Sequence, residues 1–499
     1  MVCLFLALFV QLNNFQVRMA SSLQQSPRNP GTTTNPFTEP RGEIVTSDGF
    51  VLARSTPSKD GYLEQRAYPL GSLFADVTGY YDQTVEAAPY GIEAEYDPYL
   101  TYHESHLNGL AGVLTNSSGT DSVVLTISDK LQAVAAAAIG AGCPGEPGGC
   151  QEGAGVVAID PRNGDVLAMY GTPTYDPNLL STHDAAAAAK AYSTLANPTA
   201  GPYRLAGEAH SPLINFATEQ LIAPGSTMKV VTTSAMYDNN VDLTKVWPYV
   251  SATALPDTTK LLSNFAGERC GGPLYLAIEV SCDTAYAQIG IDLGAQRLAA
   301  EATKFGFNST PPLDIPDVSA AQFPTVADLA GNIPFVAYSA IGQGNVKASA
   351  LTDALMVAGI ADNGKIMAPH LLSSIVSQTG QIVDTYKPHV WRTATSPTTA
   401  AAVRALMRDV ANSGTAAGVF PYNLHVAAKT GTAETGATGC SANWMVATAP
   451  ADPGQTPSVA VAAVVPYQTG LSCGDTGATI AGPIVARVLT AAVAMQQGS

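Results

Sequence analysis

The stretch from Ala223 to Lys229 reads Ala-Pro-Gly-Ser-Thr-Met-Lys, and the organisation of the whole chain can be worked out from it. A helix that begins after Pro224 and Gly225 places Ser226 and Lys229, three positions apart, on one face. A serine hydroxyl is a weak nucleophile near neutral pH and needs a base within about 2.6 to 3.2 Å. A neutral lysine amine one turn away can be that base. The stretch therefore predicts an activated nucleophile.

Two later segments add further polar side chains. Residues 429–434 read Lys-Thr-Gly-Thr-Ala-Glu and suit the edge strand of an active site, and residues 443–447 read as the next strand. Between them and the nucleophile lies the segment 281–283, Ser-Cys-Asp. The order and spacing are similar to the serine-x-x-lysine, serine-x-asparagine and lysine-threonine-glycine signatures of penicillin-interacting transpeptidases. On these residues the chain resembles a class B penicillin-binding protein. Its cysteine-rich inserts, its alanine-rich composition and Asp283 are most similar to the actinobacterial penicillin-binding protein A subfamily.

The resemblance implies a role for each of these residues. Ser226 is expected to attack the carbonyl between two D-alanines of a peptidoglycan stem peptide, and an amine of a second stem peptide then takes the acyl group. Lys229 is the implied base and Ser281 the implied proton relay. The backbone amides of Ser226 and Thr432 are the implied oxyanion hole. The implied substrate-binding residues are Asp283, Lys429, Thr430, Gly431 and Thr432. β-Lactams are expected to acylate Ser226.

Asp283 departs from the signature, which usually has asparagine at this position. An asparagine amide both donates and accepts hydrogen bonds, whereas an ionised aspartate only accepts. Three alternatives follow: Asp283 pairs with Lys229, it is protonated, or the substrate contacts differ. The first is preferred because an opposite charge within about 4 to 6 Å stabilises an ionised acid in a cleft, although it also raises the pKa of the lysine.

The fold implied by the resemblance is α/β (α+β), with a five-stranded, mostly antiparallel sheet, helices on both faces, and an extended N-terminal pedestal domain before it. Residues 131–499 are assigned to this transpeptidase domain, and residues 155–169 read as a hairpin with an Asn-Gly turn. Residues 41–130 resemble the non-catalytic pedestal, or dimerisation-type, domain. They are too few for a glycosyltransferase domain, so the enzyme is expected to be monofunctional. Glu93 and Glu95 read as solvent-exposed strand residues.

The N-terminal residues suggest attachment to a membrane. Residues 1–10 are an unbroken apolar run, shorter than the about 20 residues of a spanning helix. Residues 1–20 are therefore interpreted as a partial membrane anchor, whose true start lies upstream, and residues 21–40 as a linker rich in proline, serine and asparagine. The expected location is the cell membrane, with a single pass and an extracytoplasmic catalytic domain.

Composition agrees with an exported protein. Forty acidic against twenty-four basic residues give a net charge of −16, which argues against nucleic acid as a partner. The cysteines have no zinc spacing and the seven histidines are scattered, so no metal and no cofactor is expected. His425 reads as a strand residue rather than a base. Six cysteines allow fifteen pairings, and pairing between sequence neighbours is the hypothesis. The candidates are Cys143, Cys150, Cys270, Cys282, Cys440 and Cys473.

The resemblance implies peptidoglycan cross-linking during growth and division, together with a polytopic glycan polymerase. Two other functions fit the same motifs. A non-catalytic β-lactam sensor or scaffold keeps Ser226 without turnover. A serine β-lactamase needs a deacylating base, often a glutamate on a loop between the second and third motifs, and no such loop is evident in the sequence.

Overall fold

The computed structural model describes residues 39–82, 90–101, 119–143, 149–197, 204–205, 208–435, 440–468 and 470–497. The predicted anchor, residues 1–20, and nearly all of the predicted linker, residues 21–40, lie outside the described residues. Within the described ranges, no helix has both the length and the apolar character needed to cross a membrane.

The strands, numbered in chain order, are β1 (Ile44–Val45), β2 (Val51–Pro57), β3 (Glu64–Ala67), β4 (Asp121–Leu125), β5 (Ala154–Ile159), β6 (Val166–Thr172), β7 (Arg204–Leu205), β8 (Glu208–Ala209), β9 (Trp247–Val250), β10 (Ala252–Ala254), β11 (Leu261–Ser263), β12 (Cys270–Gly272), β13 (Lys365–Met367), β14 (Leu372–Ser377), β15 (Ile382–Thr385), β16 (Val390–Thr393), β17 (Ala427–Thr435), β18 (Cys440–Ala449) and β19 (Val459–Val465).

The α-helices are α1 (Ala75–Thr78), α2 (Ile92–Glu95), α3 (Asp97–Leu100), α4 (Asp129–Gly140), α5 (Ala185–Ala196), α6 (Lys229–Asp238), α7 (Leu274–Glu279), α8 (Asp283–Lys304), α9 (Val326–Leu329), α10 (Ile333–Ala340), α11 (Ala350–Ala361), α12 (Pro397–Asn412) and α13 (Ala481–Gln497). Short 3-10 turns cover Gly71–Leu73, Pro177–Leu179, Gly225–Met228, Phe265–Gly267 and Tyr422–Leu424.

A five-stranded sheet in the order β17-β18-β19-β5-β6 forms the centre of the molecule, and every neighbouring pair is antiparallel. Strands β5 and β19 are runs of alanine, glycine, valine and isoleucine that are buried along their whole length. Both faces are covered, because α4 and α13 pack together on one side while α11 and α12 pack on the other. The predicted sheet, with helices on both faces, is confirmed. The predicted hairpin is also present, as β5 and β6.

A second sheet has six strands in the order β15-β14-β4-β1-β2-β3. Strands β1 to β4 belong to the segment interpreted as the pedestal, whereas β14 and β15 are a hairpin from much later in the chain. Strand β14 pairs antiparallel with β4, and Tyr96 donates a 2.7 Å hydrogen bond to Asp314 beside it. The segment interpreted as the pedestal is therefore joined by backbone hydrogen bonds to a later part of the chain.

The interpretation of Glu93 as a solvent-exposed strand residue is wrong, because Glu93 lies in α2 and is fully buried. Its carboxylate oxygens lie 2.7 Å from Arg41 Nε and 2.6 Å from Arg66 Nε, and one accepts a 3.0 Å hydrogen bond from Tyr68. Burial acts to raise the pKa of Glu93, but the two guanidinium groups hold it below its ordinary value. Glu95 is exposed, as predicted, but it too is helical.

His425 is also not a strand residue. It follows the 3-10 turn Tyr422–Leu424 with a left-handed φ of 51°, and β17 begins two residues later. Its Nδ1 lies 3.0 Å from a carboxylate oxygen of Asp452.

Among the residues that the structure describes there are three disulfides, each between sequence neighbours: Cys143–Cys150, Cys270–Cys282 and Cys440–Cys473. Cys282 immediately precedes α8, and Cys270 begins β12. This bond therefore ties the segment of Ser281 and Asp283 to the small sheet of β9 and β12.

Candidate active site

The nucleophile segment begins with a tight turn. Gly225 has a φ of 56°, which glycine adopts at little cost, and its N–H donates a 3.0 Å hydrogen bond to the Gly342 carbonyl. The 3-10 turn of residues 225–228 runs directly into α6, which begins at Lys229. Ser226 is half-buried and lines a cleft, whereas Lys229 is fully buried. The predicted helix thus starts with a 3-10 turn, and the two side chains remain one turn apart.

Strand β17 forms the edge of the central sheet and one wall of the cleft. At Gly431 a Cβ atom would lie 2.7 Å from the Pro224 carbonyl oxygen and 2.9 Å from Thr227 Cγ2, so the strand approaches the nucleophile turn as closely as only glycine permits. Thr430 and Thr432 line the cleft. On the neighbouring strand, Trp444 Nε1 donates a 2.9 Å hydrogen bond to the Ala223 carbonyl, which fixes the nucleophile segment to the sheet.

Ser281 connects the two lysines. It lies between α7 and α8 with a left-handed φ of 58°, an uncommon conformation for a residue with a side chain and one found often at functional sites. Its hydroxyl lies 3.2 Å from Lys229 Nζ and 2.8 Å from Lys429 Nζ. A single hydroxyl between two buried amines can pass a proton from one to the other.

Asp283 pairs with Lys229, which is the first of the three alternatives. Its Oδ1 lies 2.6 Å from Lys229 Nζ, and the same amine donates a 2.7 Å hydrogen bond to the Ser281 carbonyl. The two oxygens of Ser281 and the carboxylate together use the three protons of an ammonium group. The structure therefore has the geometry of protonated Lys229.

Electrostatics favour the loss of a proton from these amines. Burial lowers the pKa of Lys229 below its ordinary value, although the charge and hydrogen bond of Asp283 oppose the shift. Burial and then the Lys229 cation lower the pKa of Lys429 still further, again against Asp283. An amine with a lowered pKa can accept a proton near neutral pH, so the cluster can serve general base catalysis.

The cleft beside this cluster has a volume of about 220 Å³. Ser226, Ser281, Asp283, Thr430 and Thr432 are all at its wall, so the structure brings together the residues that the three sequence segments single out. Further lining residues were not predicted as part of the site, because they come from segments without a recognisable active-site motif, and Cys270 was predicted only as a disulfide candidate. They are Asn264, Phe265, Glu268, Cys270, Val280, Thr415, Thr476 and Ala478. The Thr415 hydroxyl lies 2.6 Å from the Thr430 hydroxyl and so orients it.

Asp283→Asn is expected to move the rising limb of the pH–rate profile for acylation by a β-lactam toward lower pH. The substitution removes the negative charge that opposes loss of the Lys229 proton. The measurement is the acylation rate constant as a function of pH. Asp292→Asn, farther along α8, is the matched control and should leave the limb unchanged. If the rising limb of the pH–rate profile stays in place in Asp283→Asn, this would contradict an ion pair between Asp283 and Lys229 in solution.

Comparisons with known proteins agree with this geometry. Residues 154–490 match the family described as penicillin binding protein transpeptidase domain, and residues 41–121 match the penicillin binding protein A dimerisation domain. The peptidoglycan D,D-transpeptidase PbpA of Mycolicibacterium smegmatis is 34% identical over 97% of this chain and 95% of its own length. PbpA of Mycobacterium tuberculosis is 32% identical over 99% and 97%.

Solved structures are similar over almost the same span. The ceftriaxone acyl-enzyme complex of penicillin-binding protein A from M. tuberculosis has a TM-score of 0.80 and 31% identity, and the match covers 92% of this chain and 99% of that one. The penicillin G acyl-enzyme complex of that protein has a TM-score of 0.77, with 91% and 100% covered. From its matched domains and its near full-length similarity, the chain belongs to the class B penicillin-binding proteins of the transpeptidase family.

Proposed function

We propose that this protein is a serine D,D-transpeptidase that cross-links peptidoglycan stem peptides and is acylated by β-lactams. The observation that carries the proposal is the Ser281 hydroxyl between the Lys229 and Lys429 amines, at the wall of the cleft that Ser226 also lines. The names of the mycobacterial relatives, and the acyl-enzyme complexes of the M. tuberculosis protein, support the same reaction.

In the proposed reaction, Ser226 Oγ bonds to the carbonyl carbon between the two D-alanines while its proton passes to neutral Lys229. The proton then moves through Ser281 to the nitrogen of the terminal D-alanine as the C–N bond breaks, which leaves an ester on Ser226. The amine of a second stem peptide forms a new C–N bond to the ester carbon, the C–O bond to Ser226 breaks, and the amine's proton returns along the same path to Ser226 Oγ. The backbone amides of Ser226 and Thr432 stabilise the oxyanion in both steps.

Substrate binding is assigned to the other wall of the cleft. The donor's terminal carboxylate is proposed to bind Lys429 and the hydroxyls of Thr430 and Thr432, with Gly431 allowing β17 to lie close to the nucleophile turn. Asp283 orients Lys229 rather than donating to the substrate.

Attachment to the membrane through residues 1–20, with the catalytic domain outside the cytoplasm, belongs to the same proposal. It is supported by the apolar run of residues 1–10. The proposed partner is a polytopic glycan polymerase, which supplies the glycan strands whose stem peptides are joined.

Intact mass after incubation with penicillin G is expected to give one slowly lost adduct on the wild-type protein and none on Ser226→Ala, because the substitution removes the nucleophile. Ser234→Ala, at a buried serine within α6 and eight residues after Ser226, is the matched control and should retain the adduct. Rapid loss of the adduct would indicate a β-lactamase. A stable adduct without cross-linking of donor and acceptor peptides would indicate a sensor or scaffold. No adduct on folded wild-type protein would contradict the proposed function.

A further inference from the structure

A buried acid lies directly against the nucleophile turn. Asp353 is on α11 with 1% of its surface exposed, and its Oδ2 lies 2.7 Å from the hydroxyl of Thr227, the residue after the nucleophile. The other carboxyl oxygen, Oδ1, is buried and has no hydrogen-bond partner among the residues that the structure describes. No reaction step described above uses Asp353.

The hydrogen bonds available to the Thr227 hydroxyl differ between ionised and protonated Asp353. The Thr227 hydroxyl also lies 3.2 Å from the Pro224 carbonyl oxygen, at the start of the same turn. If Asp353 is ionised, the single Thr227 proton can serve the carboxylate or the carbonyl, but not both. If Asp353 is protonated, its O–H donates to Thr227 and Thr227 donates to Pro224. Protonation also makes the partnerless Oδ1 a neutral carbonyl, which is far less costly to bury than a charge.

Few side chains around Asp353 stabilise a negative charge, although Asp353 lies in the first turn of α11, where the helix dipole favours an anion. Strands β5, β18 and β19, which pack against α11, carry no titratable side chain, and β13 carries only Lys365. On α12, Arg404 Nη1 donates to the Ile360 and Ala361 carbonyls at the far end of α11, and Arg408 is the other cation there. Lys229, next to the Thr227 turn, forms its ion pair with Asp283 and not with Asp353.

We propose that Asp353 is a positioning residue that, as a neutral carboxylic acid, holds the nucleophile turn in its reactive geometry through the chain Asp353 O–H to Thr227 O–H to the Pro224 carbonyl. Ionisation breaks this chain and loosens the turn that carries Ser226. The inference rests on the proposed function, since acylation of Ser226 is its readout.

Titration of this acid falls in an accessible range. Burial raises the pKa of Asp353 to about 7, against a smaller lowering by the Thr227 hydrogen bond. This pKa lies above the value of about 3.9 for an unfolded aspartate. The stability that protonated Asp353 contributes to the fold is therefore fully present below about pH 4 and is lost as the pH rises toward about 7. Over the upper end of the same pH range, ionisation of Asp353 should lower the acylation rate because the nucleophile turn loses its reactive geometry. Deprotonation of Lys229 has the opposite effect, since it raises the acylation rate as the pH rises.

The experiment measures the limiting acylation rate and the affinity for penicillin G separately, from about pH 6 to about pH 8.5. In the wild type, ionisation of Asp353 with a pKa of about 7 lowers the reactive fraction about 30-fold over this range, as a falling component of the limiting rate. Asp353→Asn keeps a neutral donor to Thr227, so it should retain the rate at low pH and lose the falling component, with affinity unchanged. Thr227→Val lacks the chain at every pH, so it should lower the rate near pH 6 to the level of the ionised wild type and lose the falling component, whereas Thr227→Ser should behave like the wild type.

Glu301→Gln is the matched control. Glu301 is a second buried acid whose pKa burial raises to about 7, but it lies near the end of α8 and pairs with Lys304. Its replacement should change the pH dependence of thermal stability and leave the falling acylation component in place. The inference would be overturned if Asp353→Asn showed the same falling component as the wild type. If Asp353→Asn does not fold, the same falling component in Thr227→Val would overturn it. No acylation of folded wild type at any pH would instead contradict the proposed function.

Discussion

Replacing Lys229 by methionine is expected to slow acylation of Ser226 by a β-lactam by about 10²- to 10⁴-fold, the usual contribution of a general base. Methionine keeps an unbranched apolar stem in the fully buried position but removes the amine that hydrogen-bonds Ser281. The measurement is the second-order rate constant for acylation by penicillin G, with intact mass to identify the adduct. Lys245→Met, at a surface lysine paired with Asp292, should keep the wild-type rate.

The Lys229 variant also leaves the carboxylate of Asp283 without its cation, and this could slow the reaction through structure alone. The double variant Lys229→Met, Asp283→Asn removes both charges and separates the two causes. If the amine acts as the base, the double variant stays as slow as the single one. Recovery of the rate in the double variant would assign the loss to the unpaired carboxylate instead.

Replacing Glu93 by alanine is expected to lower the free energy of unfolding of the pedestal by about 3 to 5 kcal/mol, the cost of breaking a buried ion pair by removing one partner. The substitution removes the carboxylate that pairs with both Arg41 and Arg66, which are nearly inaccessible to solvent, while Arg41 keeps its ion pair with Asp97. Hydrogen exchange of residues 41–67 measures the effect locally, which suits a chain of more than one domain.

Glu95→Ala is the matched control for this prediction, since Glu95 lies in the same short helix and is exposed. Its effect should stay within about 0.5 kcal/mol, as for most surface substitutions. Equal exchange in Glu93→Ala and Glu95→Ala would contradict the stabilising role of the buried ion pairs. The acylation rate of Ser226 in Glu93→Ala, compared with the wild type, then shows whether destabilising the segment of residues 41–67 also affects the cleft.

Much of the candidate site could be predicted because its signals are local. The Pro-Gly break before Ser226 and the spacing to Lys229 lie within seven residues, and the hairpin of β5 and β6 needs only its Asn-Gly turn. The sequence of residues 429–434 likewise predicts an edge strand, which in the structure is Ala427–Thr435. In each case the conformation depends on neighbouring residues, so the pattern contains what is needed.

Interactions between distant segments had no such signal. Glu93 reads as a surface residue until Arg41 and Arg66 are brought to it by the pairing of β1, β2 and β3. Asp353 looks like an ordinary helical acid until the packing of α11 places it against Thr227, 126 positions earlier. The hairpin of β14 and β15 joins the pedestal sheet through backbone hydrogen bonds, which any sequence of suitable residues can form.

By itself, then, the sequence determined the nucleophile, its neighbouring amine, the edge strand and the family, because these follow from short-range spacing and residue type. Only the tertiary structure decided how charges are shared: that Lys229 pairs with Asp283, that Ser281 lies between two amines, and that Asp353 is buried. The reason is physical, since burial and distance set the pKa of an ionisable group, and both are properties of the packed molecule.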